Sequence, residues 1–347
     1  MPKLRRVSPT GPGLHRVRAG KGFRYVDAGG RAVTDDATLA RIEALVLPPA
    51  WEDVWICPIA HGHLQATGID AAGRRQYRYH DHWRLTRDLE KHERILDFGS
   101  VLPTVRQRVC ADLATEGLSR ERVLSCAVRL LDLGFFRIGS EQYAAKNQTF
   151  GLATMRKEHV RVSGGVVTFD YIAKSGKQRV QSLVEPEVGE VVAALKRRRG
   201  GGEELLAHRC GGAWVDVKSA DINAHLRELS GGDFSAKDFR TWSATVLAAV
   251  GLAVSTDAAC SVTARKKAVT RVVQEVAHYL GNTPAVCRAS YIDPRIIDLY
   301  DQGHTIASDL KLLGDGVSYG QPATQGAVEH AVLRLLRPPA RQAALAG

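Results

Sequence analysis

The stretch LGNTPAVCRASYIDP, Leu280 to Pro294, places a tyrosine near the end of a short, proline-started helix and an asparagine just ahead of it. Gly281 can stop the preceding helix, Thr283 can cap the next with Pro284 at its first position, and Pro294 bars continuation past Ile292. Tyr291 is therefore expected in the last helical turn. Alone, it reads as a core tyrosine with a satisfied hydroxyl. Four other residues raise the same choice between structure and chemistry. Arg137, in LGFFRIGSEQY, is flanked by Phe136 and Ile138, and a buried guanidinium needs an anion, either Glu141 or one from outside. Arg240, in FSAKDFRTWSATVLAAVG, follows a capping-box spacing of Ser235 and Asp238 and just misses the apolar stripe Phe239, Trp242, Val246 and Val250. It is expected to emerge at a helix N-terminus, either solvated or completing a phosphate site that the free amide groups favour. Lys174 enters the turn Lys174–Lys177, where a lysine either solubilises a hairpin tip or reaches into a DNA groove. Asn282 is either turn chemistry or a hydrogen-bond donor.

These residues need elements to hold them. The first 88 residues read as a small β-rich unit, with FRYVD and RAVT around the turn AGG, then VWICP, LQATGID and RRQYRYH as short strands, and DDATLARIEAL as one helix. Alternation along RRQYRYH puts Arg75, Tyr77 and Tyr79 on one face and Arg74, Gln76, Arg78 and His80 on the other. From residue 89 the pattern turns helical: SRERVLSCAVRLLDLG ends at Gly134, and EQYAAKN and PEVGEVVAALKRRR follow the same logic. One interruption, HVRVSGGVVTFDYIAKSGKQRVQSLVE, predicts a three-stranded meander with turns at SGG and KSGK. RRRGGGEE is expected to be a mobile loop, and the tail from about residue 338 to fray. The fold class is α+β, with a β-rich domain over 1–88 and a larger, mainly helical domain over 89–347.

Charge narrows the partner. Lys and Arg number 48 against 37 Asp and Glu, a formal net charge of +11, which favours an anionic partner such as nucleic acid. Lys3, Arg5, Arg6, Arg16, Arg18, Lys21 and Arg24 all precede the first acidic residue, Asp27, in the manner of a basic arm. There is no long apolar run and no charged start followed by an apolar stretch, so neither a membrane span nor a secretory signal is expected, and the location is expected to be cytoplasmic, with the nucleoid. The 6 cysteines are scattered without a CxxC pair and read as reduced packing residues.

Taken in order, RIGSEQY, the hairpin KSGK, AKDFRTW and GNTPAVCRASYI resemble the type IB DNA topoisomerases, in particular their poxvirus-like bacterial branch, over roughly residues 20–310. The resemblance implies a two-lobed clamp around duplex DNA that works as a monomer. It makes Tyr291 the nucleophile, Arg137 and Arg240 the phosphate-binding arginines and Lys174 the hairpin lysine. Asn282 departs from a histidine common in the family; its amide keeps hydrogen-bond donation but not proton transfer. Arg75, Tyr77, Arg78, Tyr79, Lys177 and Lys237 complete the expected DNA-contacting set. The implied chemistry is attack of the phenol on a backbone phosphorus, giving a 3′-phosphotyrosyl link and a 5′-hydroxyl, with Lys174 as general acid. There is no DxD-like cluster and no glycine-rich phosphate loop, so neither a metal nor a nucleotide cofactor is called for.

Three other readings compete. His61, His63, His80 and His82 form two HxH pairs that a zinc site could use, although no cysteine completes a usual spacing. A tyrosine recombinase would use a similar Arg, Lys, Arg, Tyr series but would normally begin with a helical DNA-binding domain. In a non-catalytic DNA-binding protein the basic residues would only neutralise phosphates and Tyr291 would pack.

Overall fold

The computed structural model describes residues 3–256, 261–313 and 324–337. The chain divides into two compact units, Met1–Glu93 and Arg94–Gly347.

The first unit is built on a five-stranded antiparallel sheet in the order β2-β1-β3-β4-β5. Its strands are β1 (Leu14–Ala19), β2 (Gly22–Val26), β3 (Glu52–Ile56), β4 (Leu64–Ile69) and β5 (Arg75–Tyr79). Helix α1 (Asp36–Ala44) is capped by Asp35, whose carboxylate accepts the Thr38 amide at 2.8 Å. Ile42 of α1 packs with Val54, Ile56 and Ala66 to form the core. The hairpin partner of FRYV differs from expectation: it pairs back to LHRVRA with Ala19 opposite Gly22, and RAVT contributes only the bridge Val26–Ala32. The arginines hid β1. Arg16, expected in a basic arm, lies over the Phe23 ring at 4.2 Å and donates to the Pro48 and Trp51 carbonyls at 3.0 and 2.6 Å. Strand β5 lies at the sheet edge with the predicted alternation: Arg75, Tyr77 and Tyr79 are exposed, Gln76 and Arg78 half-buried.

The second unit is mostly helical. Helix α2 (Asp81–Leu113) begins within the first unit, earlier than the sequence pattern indicated, and continues into the second; α3 (Arg120–Gly134) is capped by Ser119 and ends, as expected, at Gly134. After α4 (Glu141–Asn147) comes the meander β6 (Val160–Ser163), β7 (Val166–Ala173) and β8 (Lys177–Val184), with Lys174–Gly176 turning between the last two. Helix α5 (Pro186–Arg197) leads to a hairpin of β9 (Ala207–Cys210) and β10 (Ala213–Asp216), which the sequence reading passed over. Then follow α6 (Ser219–Ser230), α7 (Ala236–Val254), α8 (Val262–Leu280), α9 (Pro284–Ser290), α10 (Pro294–Asp301), α11 (Ala307–Leu313) and α12 (Ala327–Leu336). One core joins them, with Phe98, Leu130, Phe136, Phe169, Phe239 and Trp242 among its fully buried members.

The run RRRGGGEE is tied down rather than loose. Arg198 is buried and donates to the Leu195 and Leu205 carbonyls at 3.1 and 2.7 Å, while the Trp214 indole donates to the Arg199 carbonyl at 3.0 Å. Cys57, Cys126 and Cys287 are buried, Cys110 and Cys210 exposed, and all five are free thiols. Cys260 and the tail from 338 lie outside the described residues.

Candidate active site

The site forms where four segments of the second unit meet the end of α8. Each helix end leaves carbonyls without intrahelical partners. Gly281 adopts the left-handed conformation, φ +62°, and lets the Asn282 amide turn back to the Ala277 carbonyl at 2.9 Å. The carbonyls of residues 279–281 each take a different arginine. Tyr279 O accepts from Arg179 at 2.9 Å, Leu280 O from Arg240 at 2.8 Å and Gly281 O from Arg137 at 3.1 Å. Carbonyl partial charges hold guanidiniums in place without cancelling their charge, as a carboxylate would. Among the described residues no carboxylate pairs with Arg137, Arg179 or Arg240. Glu141, the alternative partner for Arg137, instead accepts from the Ser219 amide at 2.8 Å and its hydroxyl at 3.1 Å.

Arg240 is the main departure in placement. It does not emerge at the N-terminus of α7 but is 4% exposed, because its guanidinium runs inward to the Phe135 and Leu280 carbonyls at 2.5 and 2.8 Å. The expected cap holds it there: the Asp238 carboxylate accepts the Ser235 amide at 2.8 Å and receives Arg94 at 2.7 Å. Burial, and then the like charge of Arg137, push the Arg240 pKa down to about 10. Its Nε is buried without a partner.

Arg137 leaves α3 through Phe135, whose left-handed backbone, φ 53°, ends the helix. Its strand-like segment is clasped to the turn after Gly151, with Leu152 N donating to the Arg137 carbonyl at 2.9 Å. The two glycines make that approach possible, since a Cβ on Gly151 would lie 2.5 Å from Gly139 Cα. The half-buried guanidinium also donates to Asn282 Oδ1. Because arginine only donates, this bond fixes the amide: oxygen toward Arg137, nitrogen away from it. Asn282 Nδ2 is buried and has no partner. A buried unpaired donor costs about 1–3 kcal/mol, and here two, Arg240 Nε and Asn282 Nδ2, stand beside uncancelled positive charge. An anion would satisfy them.

Tyr291 is half-buried and caps α9, one position beyond the last helical turn in which it was expected. The Arg240 guanidinium carbon lies 5.3 Å from its ring centre. Burial pushes the phenol's pKa up, but the charge and hydrogen bonding of Arg240, followed by Arg137 and Lys237, pull it below the ordinary tyrosine value. Lys237, expected as a DNA contact, thus acts electrostatically on the phenol from one turn before Arg240. Lys174 and Lys177 stand exposed at the β7–β8 tip, and among the described residues Lys174 makes no hydrogen bond or ion pair. The structure therefore gathers Arg137, Arg240, Asn282 and Tyr291 and leaves Lys174 at the end of a hairpin whose flank, through Arg179, reaches the same helix end.

Arg179 was missed in the sequence. In β8 the inward face carries Arg179, Gln181 and Leu183, while Val180 and Val184 are 62% and 75% exposed, the reverse of the usual alternation. That inversion shows only in the folded hairpin, so the sequence offered no signal for it. In the first unit, the Tyr77 and Tyr79 rings stack at 6.0 Å on the exposed face of β5 beside Arg75, whereas Arg78 turns away and pairs with Asp81 at 2.9 Å. The histidines of the zinc reading are engaged otherwise: His63 Nδ1 accepts the Val7 amide at 3.2 Å, and His80 stacks on His82 at 5.5 Å. Among the described residues, no group of three or more His, Cys, Asp or Glu is placed to hold a metal.

Comparison with known proteins identifies the family. Residues 80–311 match the family model described as the catalytic core of eukaryotic DNA topoisomerase I, and residues 22–70 match the N-terminal domain of bacterial DNA topoisomerase IB. The chain belongs to the type IB DNA topoisomerase family. It is 28% identical to DNA topoisomerase 1B of Acanthamoeba polyphaga mimivirus over 304 residues, which cover 83% of this chain and 87% of that protein. DNA topoisomerase 1B of Vaccinia virus (strain Copenhagen) is 18% identical over 74% of this chain and 77% of its own length. With DNA topoisomerase 1 of Schizosaccharomyces pombe the match, 28% identical, spans 46% of this chain but only 19% of that protein. Family membership answers the recombinase reading, and the bacterial N-terminal domain places this topoisomerase in the bacterial branch.

Proposed function

We propose that this type IB topoisomerase relaxes supercoiled duplex DNA by transient cleavage of one strand, with Tyr291 as nucleophile. The observation that carries the reading is the cluster of guanidiniums held by the carbonyls of residues 279–281 without carboxylate partners, beside a half-buried phenol of lowered pKa. The Tyr291 oxygen, having released its proton to solvent, forms a bond to the scissile phosphorus as the P–O5′ bond breaks. The product is a 3′-phosphotyrosyl adduct and a 5′-hydroxyl. Arg137 and Arg240 stabilise the charge of the five-coordinate transition state, and Asn282 Nδ2 donates to a phosphate oxygen. Lys174, inserted from the hairpin tip, protonates the departing 5′-oxygen. Reversal of the same steps reseals the strand, and because the adduct retains the phosphodiester's energy, religation needs no ATP. In this reading both units grip one duplex as a clamp, a monomer suffices, and Arg75, Tyr77, Tyr79, Lys177 and Lys237 contact the DNA, while Arg78, paired with Asp81, does not. The substrate is the cytoplasmic bacterial chromosome.

The test is relaxation of supercoiled plasmid by Tyr291→Phe. The expected result is abolished relaxation of both supercoil signs with DNA affinity within a few fold of the parent. Normal relaxation by the variant would overturn the assignment. Recombination between two defined sites by the parent protein would overturn the reaction.

A further inference from the structure

The Lys174 tip extends two residue pairs beyond Arg179, with Ile172 opposite Gln178 and Ala173 opposite Lys177. Its β7 side is anchored: the Phe150 amide donates to the Ile172 carbonyl at 2.8 Å, and Ala173 is buried. The β8 side is not. Lys177 and Gln178 are exposed, and among the described residues the Gln178 side chain bonds only to Asp170 of the same hairpin, at 2.9 Å. Among the described residues, Arg179 supplies the one side-chain hydrogen bond that ties β8 to another element between the tip and Gln181, at 2.9 Å to the Tyr279 carbonyl.

We infer that Arg179 is a positioning residue that latches the Lys174 hairpin to the end of α8, setting the lysine in register with Asn282 and Tyr291. The inference rests on the reading of Lys174 as proton donor given above, and adds a residue that this reading leaves unused. Three features fit a latch. A helix C-terminus attracts a cation, and a planar guanidinium reaches a carbonyl with little loss of rotamer freedom. Gly281 leaves the room it needs: a Cβ there would stand 2.5 Å from an Arg179 terminal nitrogen. The partner carbonyl is also one residue from the acceptor of Arg240 and two from that of Arg137, so one short segment fixes both phosphate-binding arginines and the hairpin.

The experiment compares Arg179→Ala, Arg179→Lys and Lys174→Ala by two measurements. The first is amide hydrogen exchange of residues 176–180 in the free protein. Arg179→Ala is expected to raise exchange there while α7 and α8 keep their protection, and Arg179→Lys to restore part of it. The second is single-turnover cleavage of duplex DNA carrying either the normal 5′-oxygen or a bridging 5′-sulfur, which leaves without protonation. Displacing a catalytic group by about 1 Å slows a reaction on the order of a hundredfold. Both Arg179→Ala and Lys174→Ala are expected to cleave the oxygen substrate slower by about that factor and the sulfur substrate near the parent rate.

Unchanged exchange in Arg179→Ala overturns the latch, whatever the lysine does. Raised exchange with rescue of Lys174→Ala but not of Arg179→Ala also overturns it, because the arginine then acts at the phosphate. Failure of sulfur to rescue Lys174→Ala removes the lysine's assignment instead, and raised exchange in Arg179→Ala would then still support the latch.

Discussion

Asn282 is the residue where geometry says most about chemistry. Its oxygen faces Arg137 and its nitrogen is buried without a partner, so an isosteric change separates the two jobs. Asn282→Asp keeps an acceptor for Arg137 but replaces the free N–H with a carboxylate oxygen facing the phosphate. Its single-turnover cleavage is expected to fall by at least the roughly hundredfold to thousandfold typical of losing one preorganised donor, with a melting temperature at or above the parent's. Cleavage within tenfold of the parent would show that the amide nitrogen does not meet the phosphate. Asn282→His can do both jobs only as neutral imidazole, accepting from Arg137 at one nitrogen and donating at the other. The variant is expected to be active above its imidazole pKa, ordinarily about 6.5, and to lose activity below it, a limb absent from the parent's pH profile. For the parent, the cleavage rate is expected to rise with pH and level off below the ordinary phenol value of about 10, because the Tyr291 pKa is lowered. Removing the charge in Lys237→Ala should move that plateau to higher pH. A plateau unmoved by the substitution would exclude Lys237 from tuning the phenol.

At the scale of elements, the end of α8 is the organising part, and Arg240, a phosphate ligand in the proposed reaction, is also structural. Arg240→Ala orphans two carbonyls, Phe135 O and Leu280 O, that now accept from it. Each buried orphan costs about 1–3 kcal/mol, so denaturant unfolding should show a loss of that order alongside the loss of cleavage; undiminished stability would mean that water or a rearranged loop replaces the guanidinium. The same element shows what a sequence can and cannot reveal. The stop at Gly281, the cap at Thr283 and the break before Pro294 follow from local backbone chemistry and were legible residue by residue. The meander was legible from its glycine turns, and Arg137, Arg240, Asn282 and Tyr291 from their ordered motifs. The inward turn of Arg240 was not, because helix periodicity places a residue beside the apolar stripe without saying which carbonyls a long side chain will find. Arg179 was hidden for a related reason: β8 exposes its valines, and only pairing with Tyr171 across the hairpin shows which face turns inward. In the first unit, arginines along LHRVRA disguised a strand as a basic arm, since Arg16 satisfies itself on loop carbonyls rather than in solvent.

At the scale of the whole molecule, a formal net charge of +11 and two units with separate exposed or uncancelled cationic groups describe a protein built to meet a polyanion. Binding to duplex DNA is expected to weaken linearly in log affinity against log salt, and replacing the stacked pair Tyr77 and Tyr79 with alanine should weaken binding while leaving the cleavage rate of the bound complex near the parent's. A cleavage rate that falls with affinity unchanged would assign that face to something other than DNA contact. The central claim concerns one bond and is most directly tested by incubating the protein with end-labelled duplex DNA, without ATP and with EDTA present, then denaturing and mapping any covalent adduct. The account predicts a DNA 3′-phosphate joined to Tyr291, with a free 5′-hydroxyl on the other side of the nick and no adduct from Tyr291→Phe. An adduct at a 5′-phosphate, an adduct that persists in Tyr291→Phe, or relaxation with no covalent intermediate would contradict it.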